Sequence, residues 1–173
     1  MKNSVSQLLI SLALIHAVSA HAADTTPFSF GVIAKPVQSV SSETVLREAI
    51  EESDADNLAF VVVSGIKASD EACSDALYKE RKTLMDSAKN GVIVAVTGND
   101  WTRCLNTKNR SIATERMNRI RDLFFTDEFS FGDSKLPLVR QSMMPQFRSY
   151  GENMRWRIGD VMFATINLPA NNN

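Results

Sequence analysis

Histidine is missing from the chain after residue 22. The sequence contains two histidines, His16 and His21, and both lie in the N-terminal segment 1–22. Without an imidazole, neither a Ser-His-Asp nor a Cys-His catalytic arrangement has its general base. A structural zinc cluster is excluded as well, because two cysteines alone do not supply its ligands. The absence of histidine after residue 22 therefore excludes the hydrolytic mechanisms that need an imidazole base.

Phosphate loops, membrane spans and an excess of positive charge are also lacking. Gly65 stands alone after an apolar run, without the spacing or the lysine of a glycine-rich phosphate loop. No segment beyond residue 22 approaches the ~20 apolar residues of a transmembrane helix. Removing Lys2 from the 19 Lys and Arg leaves 18 against 20 Asp and Glu, a net charge near −2. We expect no nucleic-acid partner, no membrane span and no cofactor.

The N-terminal segment has the pattern of a secretory signal. Lys2 supplies a positive start, an apolar core of 11 residues follows at 8–18, and Ala20-His21-Ala22 carries small residues where a signal peptidase cuts. A hydrophobic first helix of the domain is the alternative. Cleavage after Ala22 leaves 173 − 22 = 151 residues, enough for a single domain over 23–173. The sequence therefore predicts a periplasmic or secreted protein.

Three short apolar runs, 28–34, 58–64 and 92–97, are typical of buried strands. Helical patterns separate them. One starts at Ser42 with Val45, Leu46, Ala49 and Ile50 on its inner face, and one runs from Ser74 to about Asn90 with Gly91 as its stop. This alternation predicts a parallel sheet, in which ligands bind beyond the carboxyl ends of the strands. Those ends are Lys35-Pro36, Ser64-Gly65-Ile66 and Gly98-Asn99-Asp100.

The pattern changes after the third strand. A helix is expected near 111–125, residues 126–150 are irregular and polar, and 154–168 has the alternation of a hairpin around Gly159-Asp160. Three arginines of the helix are interpreted as a solvated face. An exposed edge of the hairpin favours self-association. The arginines are Arg116, Arg119 and Arg121.

The two cysteines fall at the same edge of the predicted sheet. Cys73 lies just before the second helix, and Cys104 lies just after the third strand end. In an oxidising compartment such a pair is most simply a disulfide, and two free thiols are the alternative. The acidic pairs Asp70-Glu71 and Asp127-Glu128 could hold Ca²⁺ or Mg²⁺, but they are interpreted as solvated loop charges.

Several stretches resemble exported members of the calcineurin-like metallophosphoesterase superfamily. They are "CSDALYKERKTLMDSA", "GNDWTRC", "ERMNRIRDLFF" and "SYGENMRW…FATINLPANNN". The resemblance covers most of 28–173 but only the N-terminal half of that fold. It implies an α/β fold with mixed sheets and flanking helices, an α/β/β/α sandwich that is incomplete at the C-terminus.

The family's metal ligands are mostly missing from the matching positions. The resemblance implies Asp-x-His after the first strand, where Ala34-Lys35-Pro36 stands, and Gly-Asp after the second, where Ile66 follows the glycine. Only Gly98-Asn99 matches after the third. An isoleucine cannot bridge two divalent cations, and a lysine repels them. The sequence therefore predicts no metal and no catalytic residues.

Three functional hypotheses follow. The first is a non-catalytic exported protein with a binding or structural role, in which strand-end residues hold a small anion or a glycan. The second is a phosphoesterase with a rebuilt site, and the third is a truncated fragment of a longer domain. The binding candidates are Asn99, Asp100, Trp101 and Arg148, and the rebuilt site would use Asp70, Asp100 and Glu152.

Overall fold

The computed structural model describes residues 26–34 and 42–168, with the side chains of α1 described from residue 44 onward. The predicted signal segment 1–22 and the first strand end, Lys35-Pro36, lie outside the described residues. No helix within the described ranges is long and apolar enough to cross a membrane.

The first sheet is parallel, as the alternation of runs predicts. Its strands are β1 (Gly31–Ala34), β2 (Val61–Ser64) and β3 (Val92–Ala95), hydrogen-bonded in the order β1-β2-β3. The helices α1 (Ser42–Asp54) and α2 (Asp75–Asp86) make the two connections. Successive right-handed crossovers in one direction place both helices on the same face of the sheet.

The second sheet is antiparallel and contains the predicted hairpin. It has the order β4-β5-β6, with β4 (Val139–Arg140), β5 (Met154–Ile158) and β6 (Val161–Thr165). Gly159 has φ 54° in the turn between β5 and β6, a left-handed conformation that glycine adopts without strain. Segment 126–150 is not wholly irregular as predicted, because it contains β4 and two short 3₁₀ turns.

The two sheets pack through an aromatic cluster. The Phe60 ring lies 5.3 Å from Trp156 and 4.8 Å from Phe163, centroid to centroid. Phe30 stacks on Phe60 at 5.0 Å. The molecule therefore has a helical layer, the parallel sheet and the antiparallel sheet in that order. Helix α3 (Ala113–Phe124) lies against α2 and buries Met117, Ile120 and Phe124.

Several predicted boundaries were wrong. The strands are shorter than the apolar runs, because flanking residues such as Phe60 are apolar for packing between the sheets. Helix α2 ends at Asp86 and not at Asn90. Gly91 has a different role from a helix stop: a Cβ there would lie 2.5 Å from the carbonyl oxygen of Ser134. Close backbone approach is the second common reason for a glycine.

Helix α1 is buried through a narrower stripe than predicted. Leu46 and Ile50 are buried, Ala49 is half-buried, and Val45 is 44% exposed. Val45 instead lines a groove beside β1.

Candidate functional site: the strand-tip edge

The carboxyl ends of β2 and β3 form one compact edge. We call it the tip edge and define it as residues 64–68, which start at the last residue of β2, and 97–104, which follow β3. Gly65 has φ 98°, and its N–H donates to the carbonyl oxygen of Ala95. Gly98–Asp100 forms a 3₁₀ turn. Parallel sheets bind ligands beyond the carboxyl ends of their strands. The hydrogen-bond partners of each polar group at the tip edge therefore decide which groups remain for a ligand.

Asp100 is fully buried and its carboxylate joins the two tips. Oδ1 accepts hydrogen bonds from the backbone N–H groups of Ile66 at 2.7 Å and Lys67 at 3.0 Å. Oδ2 accepts from the N–H of Thr97 at 2.6 Å and from its hydroxyl at 3.1 Å. Burial raises the pKa of the Asp100 carboxyl, and the four donors oppose that rise. Both oxygens are thus occupied by protein groups.

Lys67 supplies a cation to the same edge. Its side chain is 4% exposed, and Nζ donates to the carbonyl oxygen of Ala68 and, at 3.3 Å, to that of Asn99. The ammonium therefore also connects the two tips. Burial lowers the pKa of Lys67, and the negative charges of Asp100, Glu71 and Asp70 oppose that effect.

A disulfide and a buried tyrosine hold the tip edge against α2. The predicted pairing of Cys73 with Cys104 is confirmed, with the two Cα atoms 5.7 Å apart. The hydroxyl of Tyr78 donates to the carbonyl oxygen of Asp100 at 2.8 Å. Burial raises the pKa of Tyr78 to about 12. Ala68 adds a further contact of the tip edge, because its N–H donates to Oε2 of the half-buried Glu71 at 2.7 Å.

The four predicted binding residues do not form one cluster. Asp100 is enclosed, and Trp101 is half-buried against the core with its indole N–H buried and unpartnered among the described residues. The Asn99 side chain is exposed. Arg148 lies elsewhere, in an approximately 260 Å³ cavity shared with Arg121 and Asn118. Only Asn99 is thus both at the tip edge and open to solvent.

Two of the three carboxylates proposed for a rebuilt metal site, Asp100 and Glu152, are used in other contacts, and the third, Asp70, is exposed. Glu152 is 3% exposed, and its carboxylate pairs with Arg121 through distances of 2.6 and 2.9 Å. Asp100 is enclosed as described. Within residues 26–34 and 42–168, no group of three or more His, Cys, Asp or Glu side chains is arranged to hold a metal ion. Asp70, Asp100 and Glu152 therefore form no cluster.

Two of the charged features that were interpreted as solvated are instead paired. Glu71 Oε1 lies 2.6 Å from Nη2 of Arg81, a side chain that is 2% exposed. Asp70, Asp127 and Glu128 are exposed, as the interpretation of solvated loop charges expects. On α3, the arginines at 116 and 119 both pair with Asp75, at 2.8 and 2.9 Å. These contacts attach α3 to the start of α2.

Apart from the indole N–H of Trp101, the buried polar side-chain groups of the tip edge are thus used in internal contacts. The Asp100 carboxylate has four internal donors, the Lys67 ammonium has two internal carbonyl acceptors, and Cys104 is bonded to Cys73. The side chains of the tip edge that are exposed to solvent are those of Asn99, Thr102 and Arg103.

Comparison with known proteins assigns neither a family nor a function to the chain. No protein-family model matches the chain, and searches of the curated proteins and of the solved structures found no match either.

Sequence reasoning missed Lys67 as part of the tip edge. The available signal was its position: a single charged residue directly after the apolar stretch LAFVVVSGI, where a chain leaving a buried strand is still enclosed. Such a residue has to find internal partners or lie in a site. Here it finds partners in both tips.

Proposed function

We propose that this chain is an exported, non-catalytic protein with a metallophosphoesterase-like fold and a binding or structural role. The observation that carries the proposal is the bonding of Asp100. Both of its carboxylate oxygens accept hydrogen bonds from backbone N–H groups of the two tips. A dinuclear hydrolase needs an anionic bridging ligand exposed to its metals. At this edge the only anion with that position is closed inside the protein.

The layer order supports the proposed fold. Helices, a parallel sheet and an antiparallel sheet correspond to three consecutive layers of an α/β/β/α sandwich, and the tip edge lies where that fold would hold its metals. Under this proposal, the outer face of the antiparallel sheet is where the fourth layer would pack.

Hydrolysis assays test the absence of catalysis. We expect no turnover of an aryl phosphate mono- or diester above the protein-free rate with added Mn²⁺, Fe²⁺ or Zn²⁺, and no stoichiometric metal in protein purified without chelator. Asn99→Ala is the matched variant, because Asn99 is exposed at the tip edge and its amide oxygen could coordinate a metal ion. Turnover that rises with metal and disappears in Asn99→Ala would overturn the proposal.

The cavity beside Arg148 is the best-supported place for a small anion or a glycan. Its approximately 260 Å³ are lined by Arg148 and by amide and hydroxyl side chains, and the acidic residue Asp122 and the aromatic residue Phe125 also line it. The amide and hydroxyl side chains are those of Asn118, Thr126, Ser142 and Ser149. Arg121 also lines it but is already paired with Glu152, so Arg148 is the cation that remains for a ligand. Charge and hydroxyl donors together favour a phosphate- or carboxylate-sized anion.

Calorimetric titration tests this second site. With inorganic phosphate as the probe, we expect saturable binding that Arg148→Ala abolishes. Arg110→Ala, an exposed arginine outside the cavity, is the control and should bind as the unmodified protein does. Binding that survives in Arg148→Ala would show that the anion lies elsewhere, and titration with a neutral monosaccharide tests the glycan alternative.

Export is tested on the chain itself. N-terminal sequencing of protein recovered outside the cytoplasm should give Ala23-Asp24 as the first residues. A folded product that still begins at Met1 would contradict both cleavage after Ala22 and the proposed periplasmic or secreted location.

A further inference from the structure

We propose that this protein forms a symmetric dimer through one flank, with an acidic groove of each copy covering a basic apolar face of the other. The flank is the side where both sheets end, and we call it the open flank. It consists of β1 with the preceding residues 28–30, and of β6 with the following residues 166–168. Phe28 and Phe30 contact Phe163 across it, at 6.1 and 5.5 Å between centroids.

The opposite side of the parallel sheet is closed by the chain itself. The edge of β3 exchanges two backbone hydrogen bonds between Val92 and Phe131, at 2.9 and 3.0 Å. The same segment continues to β4 through the bridge of Phe129 with Pro137. An unprotected strand edge pairs readily with another chain. Among the described residues, one edge of this sheet is therefore covered by the chain, and no strand pairs with the other edge, that of β1.

The open flank is apolar where a monomeric protein would place charges. Residues 161–168, VMFATINL, contain no charged side chain, and neither do 28–34. Ile166 is 69% exposed and Leu168 is 75% exposed. Monomers protect edge strands with lysine, proline or inward-pointing charges, and contiguous exposed apolar surface marks an interaction site.

The charges that border the open flank identify the partner as a second copy. On one border, a groove of about 490 Å³ between β1 and α1 combines Phe30 and Val32 with the acids Glu52 and Asp56. On the other border, the outer face of β5 and β6 exposes Arg155 and Arg157 beside apolar side chains. Arg157 also lies 3.5 Å from Asp160 of the same hairpin, an exposed pair that contributes little and that the acids of a partner can replace. The two borders of one molecule are thus complementary in charge. Both are apolar, but one carries acidic side chains and the other carries arginines.

A two-fold axis brings these borders together. If the axis passes through the open flank between the two sheets, it places the antiparallel sheet of one copy opposite the parallel sheet of the other. The arginines of each copy then approach the acids beside its partner's α1. Such an isologous contact closes on itself and stops at two copies.

The area is that of a weak, reversible pair. The strands with their extensions are about 25 Å long, and three layers spaced about 10 Å apart are about 30 Å deep. An axis between the two sheets offsets the copies by one layer, so about 20 Å of this depth overlaps, and the footprint of about 500 Å² per copy lies at the lower limit for a specific interface.

Sedimentation of the purified protein at increasing concentration is the first test. We expect a reversible monomer–dimer equilibrium with no larger species. Ile166→Lys combined with Leu168→Lys places two charges in the interface and should raise the dissociation constant about tenfold or more. Leu105→Lys, on a residue that is 55% exposed in the loop after the tip edge, is the matched control and should leave the equilibrium unchanged. A monomer at every concentration, or open-ended aggregation, would overturn the proposal.

Charge exchange tests the arrangement itself. Arg155→Glu with Arg157→Glu should weaken the dimer, and so should Glu52→Arg with Asp56→Arg. When all four changes are combined in one chain, opposite charges meet again and the dimer should recover. Failure of the combined variant to recover, while its circular dichroism and unfolding remain those of the parent protein, would contradict the acid-on-arginine arrangement.

Discussion

The tip edge and the open flank treat their surface groups in opposite ways. At the tip edge every oxygen of Asp100 has a donor, Lys67 has acceptors from both tips, and the two cysteines are bonded. At the open flank large apolar side chains such as Leu168 remain in solvent. A binding site needs groups that are left over after folding, so under the two proposals above the tip edge has a structural role and the open flank is the surface that binds a partner.

The largest expected effect breaks the tip edge at Asp100. Asp100→Ala leaves three buried N–H groups, those of Ile66, Lys67 and Thr97, without an acceptor, and we expect a loss of about 4 kcal/mol of unfolding free energy. Urea denaturation measures it. Asn99→Ala, one residue away and exposed, should stay within about 0.5 kcal/mol. Equal effects of the two changes would contradict a structural carboxylate.

Removing the disulfide is expected to be the next largest effect. Cys73 and Cys104 are 31 residues apart, and a loop of that size contributes about 3.7 kcal/mol by constraining the unfolded chain. Changing both cysteines to alanine should therefore lower the denaturation midpoint, and reduction of the parent protein should reproduce the shift. Free thiols that react with a labelling reagent in the native, unreduced protein would refute the pairing.

Tyr78 provides a smaller, pH-dependent effect at the same edge. Tyr78→Phe removes the hydrogen bond to the Asp100 carbonyl and should cost about 1 kcal/mol at neutral pH. The folded-state pKa is raised from 10.0 to about 12, so the native protein holds this proton more tightly than the unfolded chain. The tyrosine's contribution is therefore complete below pH 10 and is lost as the pH rises toward 12.

Comparing the parent protein with Tyr78→Phe isolates the titration of the Tyr78 hydroxyl. Lys67 and Arg140, whose pKa values are lowered by burial, give the opposite slope in alkali but are present in both proteins. The stability difference between parent and Tyr78→Phe should therefore shrink between pH 10 and 12. A difference that is constant over this range would contradict a raised tyrosine pKa.

The smallest effect on folding is expected at the open flank. Ile166→Lys changes a side chain that is 69% exposed, so the unfolding free energy of the monomer should move by no more than about 0.5 kcal/mol. Urea denaturation at a protein concentration below the dissociation constant of the proposed dimer measures this change in unfolding free energy. A loss of several kcal/mol would mean that the flank is part of the folded core, and the contrast with the tip edge would fail.

Local patterns in the sequence predicted much of the fold. Apolar runs separated by capped helices indicated the parallel sheet, and Ser74 does cap α2, accepting from the N–H of Leu77 at 3.2 Å. The alternation around Gly159-Asp160 indicated the hairpin. The placement of both cysteines at one edge predicted the disulfide. Each of these signals acts within a short stretch or follows from sheet topology.

The contacts of the tip edge could not be predicted in the same way. The bonds of Asp100 to Ile66 and Lys67 join positions 34 and 33 residues apart, and no local pattern distinguishes a buried structural carboxylate from an open ligand. Arg148 was grouped with the strand ends although segment 126–150 carries it into another cavity. Val45 shared the helical periodicity of Leu46 and Ile50, but the sheet below α1 covers only part of that stripe.

The buried ammonium of Lys67 has one more consequence. A metal ion that joined the two strand ends could be removed by a chelator, whereas this cation is covalently part of the chain, so the edge keeps its geometry in a metal-free medium. The same enclosure shields the amine from reagents: during limited acetylation Lys79, Lys89 and Lys135, all exposed, should be modified first, and Lys67 should acquire label only when the protein unfolds.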